Sequence, residues 1–127
     1  MNQTTAKLLE KAGRSIAAGE SAVSEGHIEA ATARAYYAMF HVAQALLNDR
    51  GLRFRKHGGV HAAFGEHFAK SGLLDPRYHR RLLAAFNKRI VADYSIEAEL
   101  GAEEVRDMLG QASEFLQAAR EFLGASE

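Results

Sequence analysis

Two stretches of this chain repeat apolar side chains at 3-4-3-4-3 spacing, and no other feature limits its fold as strongly. Residues 102–123 carry Val105, Met108, Ala112, Phe115, Ala119 and Phe122, and residues 27–50 carry Ile28, Ala31, Ala35, Ala38, Val42 and Ala45. An α-helix turns once per about 3.6 residues, so this spacing gathers each set into one stripe that another helix must cover. A strand would need apolar and polar residues in alternation, and no such run is evident.

Three further segments follow the same logic. Residues 4–24 place Leu8, Ala12, Ile16, Gly19 and Val23 on one face and end near Gly26. A shorter segment, 58–70, holds Val60, Ala63, Phe64 and Phe68 and closes at Ser71-Gly72-Leu73. Another opens at Asp75-Pro76, a capping residue ahead of a proline at the first helical position, and carries Leu82, Leu83, Phe86 and Ile90. The pattern predicts an all-α fold: an antiparallel up-and-down bundle of four to five helices in a single domain spanning residues 1–127. The small residues of the 27–50 helix let neighbours approach closely, which places it at the centre. The 51–57 loop is the least regular connection.

With 127 residues, a chain buries about two-thirds of its extended surface and needs no metal or disulfide to hold together. There is no cysteine, which excludes disulfides, thiolate zinc sites and a thiol nucleophile. No segment approaches the ~20 apolar residues of a membrane span. The N-terminal MNQTTAKLLEK enters helical patterning directly instead of forming the apolar core of a signal peptide. The expectation is a cytoplasmic protein without membrane contact or cofactor.

The net charge is zero but unevenly spread. Residues 50–89 hold ten basic side chains against Glu66 and Asp75, whereas residues 90–127 hold Arg106 and Arg120 against nine acids. A basic middle favours a polyanion or nucleotide contact. Basic and acidic helices lying side by side would instead cancel in space, and sequence alone leaves both readings open.

The central helix also carries a polar stripe, Arg34, Tyr37, His41, Gln44 and Asn48, at 3-4-3-4 spacing. A solvated face usually shows Lys and Glu, so a stripe of aromatic and amide groups reads as partly buried, either a seam between helices or a cleft. Arg89 and Asp93 are four residues apart on the next-to-last helix and can form an ion pair. Equally, Asp93 can orient the Arg89 guanidinium toward a phosphate that the Tyr94 hydroxyl also meets. His57 and His61 share the same spacing, but Gly58-Gly59 between them makes a helix there doubtful, and no carboxylate completes a zinc pattern. No metal site is therefore expected. Lys56 and His57 precede a helix N-terminus suited to an anion, and Arg53, Arg55 and Lys56 around Phe54 supply cations beside one stacking ring.

Three blocks together resemble a known family: ARAYYAMFHVAQALL, KHGGVHAAFGEHF and KRIVADY. They are similar to the HEPN-domain proteins of prokaryotes, in the branch carrying an Arg-x-x-Ala-Asp-Tyr motif, and the likeness spans roughly residues 5–122. The resemblance implies a helical bundle that dimerises through the motif face and is often encoded beside a minimal nucleotidyltransferase, in a toxin–antitoxin type of pair. A subset of the family are metal-independent ribonucleases or toxins whose motif arginine and histidine, from two protomers, promote attack of a 2′-hydroxyl on the adjacent phosphate. Here Arg89 matches the motif arginine, Ile90 replaces the usual polar residue, and Tyr94 stands where active members have histidine. Tyrosine titrates near 10 and mostly donates, so the departure favours anion binding over cleavage. Three readings follow. The first is a homodimeric module holding RNA, a nucleotide or a nucleotidyltransferase partner; the second is a ribonuclease using Arg89 with Tyr94 or His41; the third is a purely structural dimerisation module.

Overall fold

The computed structural model describes residues 1–96 and 100–125. Five helices succeed one another: α1 (Gln3–Ser24), α2 (Ile28–Asp49), α3 (His57–Phe64), α4 (Arg77–Tyr94) and α5 (Ala102–Ala125). At its C-terminal end α3 widens into a π-helical turn, Gly65–Ala69. Among the described residues there is no strand, and the helices pack together as an all-α bundle. Glu97, Glu99 and Glu127, part of the acidic C-terminal charge, lie outside the described residues.

α2 touches every other helix. Its alanine stripe is fully buried, and so are Tyr36, Met39, Leu46 and Leu47 on other sides of the same helix. A helix apolar around most of its circumference is stable only when surrounded, so the centre is the position its sequence demands. α1 meets α2 and α5 at Gly19, where an added Cβ would lie 2.6 Å from Leu109 Cδ2 and 3.2 Å from Arg34 Cβ. No side chain fits between the three helices there.

The termini follow local chemistry. Asn2 caps α1, its Oδ1 accepting the Thr5 backbone N–H at 2.8 Å. Asn48, near the end of α2, donates from Nδ2 to Thr5 Oγ1 at 2.9 Å and to Asn2 Oδ1 at 3.1 Å. This amide, the last member of the polar stripe, ties the end of α2 to the start of α1. Gly26 and Gly51 take φ of +83° and +78° just past α1 and α2, a left-handed turn disfavoured for residues with a Cβ. At the start of α4, Asp75 Oδ1 accepts the Arg77 N–H at 2.9 Å, and Pro76 already has helical torsions.

Some expectations are corrected. α3 runs straight through Gly58-Gly59, so His57 and His61 both stand on a helix. Gly59 is needed for packing there, since an added Cβ would lie 3.2 Å from the Phe54 ring. Leu83 is exposed and does not join the core, because Leu82 and Ala85 already define the buried side of α4. On α1 Leu9 is fully buried and Leu8 only partly. On α5 Leu109 and Leu123 fill the core while Phe122 is partly buried, because a straight helix drifts away from a strict seven-residue repeat. The basic middle is in part cancelled, since Arg81 of α4 pairs with Glu114 of α5.

Candidate functional site

The residues that carry chemistry meet where the middle of α2, the start of α3 and the C-terminal half of α4 come together. Tyr36 is the hinge of this region. Its ring is fully buried, and its hydroxyl lies 2.6 Å from His57 Nδ1 and 2.7 Å from His61 Nε2. The two histidines are one helical turn apart on α3, which is why one phenol reaches both. A hydroxyl has one proton, so it donates to one imidazole and accepts N–H from the other. Both ring nitrogens are thereby engaged by the phenol.

Around this chain of hydrogen bonds the walls are aromatic. The His57 ring centroid lies 4.6 Å from Phe40 and 5.8 Å from Phe86, and His61 meets Phe86 at 5.0 Å. Such walls remove water from the polar groups. Burial pushes the Tyr36 phenol well above its ordinary value, opposed only in part by Arg89. Burial also pushes His61 down to about 4, helped by His57 and His79. His57 is lowered by burial and by the Arg89 guanidinium. His41 is lowered by burial, with Lys11 and His57 adding to it, although its hydrogen bond to Gln44 Oε1 at 3.0 Å resists the change.

Arg89 forms the cationic edge of the cluster. Its guanidinium lies 5.1 Å from the Tyr37 ring centroid and 6.0 Å from that of Tyr36. Asp93 Oδ2 stands 3.3 Å from Arg89 Nε, so the ion pair allowed by their spacing forms. The approach is poorly aligned, and the buried Nε–H has no hydrogen-bond acceptor among the described residues. The Arg89 and Asp93 side chains are only 21% and 32% exposed. Tyr37 in turn stacks on His41 at 6.3 Å.

Arg89 and Asp93 of α4, Tyr37 and His41 of α2 and His57 of α3 are thus brought together. Tyr94 is not: it closes α4 with 78% of its surface exposed, outside the cluster of its own chain. Arg34 is exposed and sits against α1, where its carbonyl accepts the Ser15 hydroxyl at 3.0 Å. Arg53, Arg55 and Lys56 are exposed on the loop before α3 and make no ion pair among the described residues. Sequence reasoning passed over Tyr36, which reads as core inside an alanine-rich stripe. The signal was present in its neighbour: adjacent tyrosines on a helix point about 100° apart, so only one of them belongs to the polar face.

The profile of the HEPN domain matches residues 5–122. A Gloeobacter violaceus protein named "UPF0332 protein glr0978" is 32% identical over 117 residues, covering 91% of this chain and 93% of that protein. "Putative toxin MJ0142" of Methanocaldococcus jannaschii is 33% identical over 117 residues, covering 92% of this chain and 80% of its own. A Thermotoga maritima UPF0332 protein is 35% identical over 96 residues, 76% of this chain and 73% of that one. With the profile matched almost end to end, and with relatives aligned over most of their length, the chain belongs to the HEPN domain family.

Proposed function

We propose that this HEPN protein binds a phosphate-bearing ligand, RNA or a nucleotide, on the face shared by α2, α4 and the start of α3, with Arg89 as the anion anchor. The carrying observation is the state of Arg89: half-buried, stacked on Tyr37, and with an Nε–H that lacks an acceptor. The planar guanidinium suits bidentate contact with phosphate, and Asp93 fixes its orientation. Arg53, Arg55 and Lys56 extend the positive surface beside the start of α3.

Arg89→Ala is expected to weaken binding of a fluorescent RNA oligomer or a nucleotide by about 10- to 100-fold, matching the worth of a charge-assisted hydrogen bond. Fluorescence anisotropy reads the effect. Affinity within twofold of wild type would move Arg89 to a purely structural role.

The working unit in this reading is a homodimer of single-domain chains in the cytoplasm. Leu83, Val91 and Tyr94 of α4 are exposed, on the side of the helix turned away from the core. Pairing through them would cover this apolar surface of α4 between two protomers. A minimal nucleotidyltransferase is the proposed protein partner, and co-purification of the two chains after co-expression checks it.

A second reading, metal-independent RNA cleavage, is favoured by two observations. Titratable groups crowd around Arg89, and relatives from Methanocaldococcus jannaschii carry the names "Putative toxin MJ0142" and "Putative toxin MJ0605". RNA cleavage that persists in EDTA and disappears with Arg89→Ala is the expected result.

A further inference from the structure

We propose that His57 is the proton-transferring group of this cleft, and that Tyr36 and His61 are positioning residues that set which of its ring nitrogens carries the proton. The inference deepens the cleavage reading and rests on it. Sequence comparison alone directs attention to Tyr94 or His41, but Tyr94 is 78% exposed at the C-terminal end of α4. His41 has its Nδ1 engaged by Gln44. His57 stands at the open end of the hydrogen-bonded chain, half-buried, near enough to Arg89 to feel its charge, with Nδ1 on Tyr36 and Nε2 left for substrate.

The chain His57–Tyr36–His61 has two neutral arrangements. In one, Tyr36 O–H donates to His57 Nδ1, His61 Nε2–H donates to Tyr36 Oη, and the His57 proton sits on Nε2. In the other, Tyr36 O–H donates to His61 Nε2, His57 Nδ1–H donates to Tyr36 Oη, and His57 Nε2 is a bare base. One phenol rotation with two tautomer changes interconverts them, so the buried end decides whether the outer nitrogen gives or takes a proton. His61 is 7% exposed and held neutral, so it selects a tautomer without itself becoming a cation.

In the base arrangement His57 Nε2 takes the proton of an RNA 2′-hydroxyl. The 2′-oxygen forms a bond to the adjacent phosphorus, and the bond from phosphorus to the 5′-oxygen breaks. The leaving 5′-oxygen receives a proton from the His57 imidazolium, directly or through water, and the products are a 2′,3′-cyclic phosphate and a 5′-hydroxyl. No net proton, electron or water is consumed. The imidazolium is stabilised meanwhile by Nδ1–H donation to Tyr36 Oη, and Arg89 faces the charge that develops on the phosphate. Other charged or titratable groups around His57 are Tyr36, Tyr37 and His41 of α2 and His61 of its own helix. Lys11 of α1 lies beyond His41, and His79 of α4 lies behind His61, its Nε2–H donating to the His61 carbonyl at 3.1 Å.

The test uses the full chain, a panel of structured and unstructured RNA oligomers in EDTA, and long-range proton–nitrogen NMR of the histidine rings. His57→Ala is expected to reduce cleavage about 100-fold or more, the usual worth of a positioned acid–base group, with RNA affinity within threefold of wild type. Tyr36→Phe is expected to change the Nδ1 to Nε2 tautomer ratio of His57 and to shift its titration and the pH–rate profile together. His61→Gln breaks the chain at its far end and should move the same signals, which covers the case in which Tyr36→Phe fails to fold. His57→Ala cleaving at the wild-type rate overturns the assignment of His57. An unchanged His57 tautomer in both other variants overturns the positioning role. Should wild-type protein bind RNA in an Arg89-dependent way yet cleave none of the panel, the proton-transfer role falls while the binding reading stands.

Discussion

Arg89 shows how little a charge on an apolar helix says until its surroundings are known. The residue is held by two tyrosine faces and one carboxylate, so its removal disturbs packing as well as charge. At the same scale His61 makes a stability prediction. Its folded value drops from 6.5 to about 4, so between those values the unfolded chain holds a proton that the folded chain does not. Stability contributed by neutral His61 is therefore present above pH 6.5 and lost as pH falls toward 4, by at most about 3.5 kcal/mol at about 1.4 kcal/mol per unit. His41 and His57, also lowered, act in the same direction. Urea denaturation at a series of pH values should show this slope, and His61→Gln should flatten it.

Elements rather than residues explain the closest packing. α1, α2 and α5 converge at Gly19, and the space there is smaller than a methyl group. Gly19→Val is expected to destabilise the protein by about 1–3 kcal/mol through overpacking, read as a lower urea midpoint at unchanged slope. Leu109→Ala in the same chain should recover part of the Gly19→Val loss, since Leu109 Cδ2 is the nearest atom; no recovery would locate the strain on the Arg34 side. The helices themselves were legible in sequence, because periodicity, Asp75-Pro76 and Gly26 are local signals. The α3 start was not. Two glycines weaken helix propensity, yet Phe54 packs on Gly59 and Tyr36 holds His57 and His61, and those contacts come from elsewhere in the chain.

For the whole molecule, the exposed apolar residues of α4 and the exposed basic loop make separate predictions. Val91 is 41% exposed on α4, and Val91→Glu should convert the proposed dimer to a monomer by light scattering coupled to gel filtration. A wild-type monomer at the highest soluble concentration would remove the dimer from the proposal. RNA affinity should also fall linearly with the logarithm of salt concentration, and substituting Arg53 and Arg55 together should reduce that slope by about 0.7–1.4, the change expected for one or two lost single-strand phosphate contacts. Net charge does not foretell this, because Arg81 is answered by Glu114 whereas Arg53, Arg55 and Lys56 make no ion pair among the described residues.

The helices, the central place of α2, the polar stripe holding Tyr37 and His41, and the spacing that lets Arg89 meet Asp93 were legible in the sequence by itself. Each of these follows from periodicity, local caps or a motif whose residues are neighbours along the chain. Only the tertiary structure decided that Tyr36 bridges two histidines, that Tyr94 lies outside the cluster of its own chain, and that Arg34 belongs to the α1 side. The physical reason is distance along the chain: α2 is 21 and 25 residues from its hydrogen-bond partners on α3. Which of two adjacent tyrosines turns inward depends on the rotation of a helix fixed by all its neighbours at once.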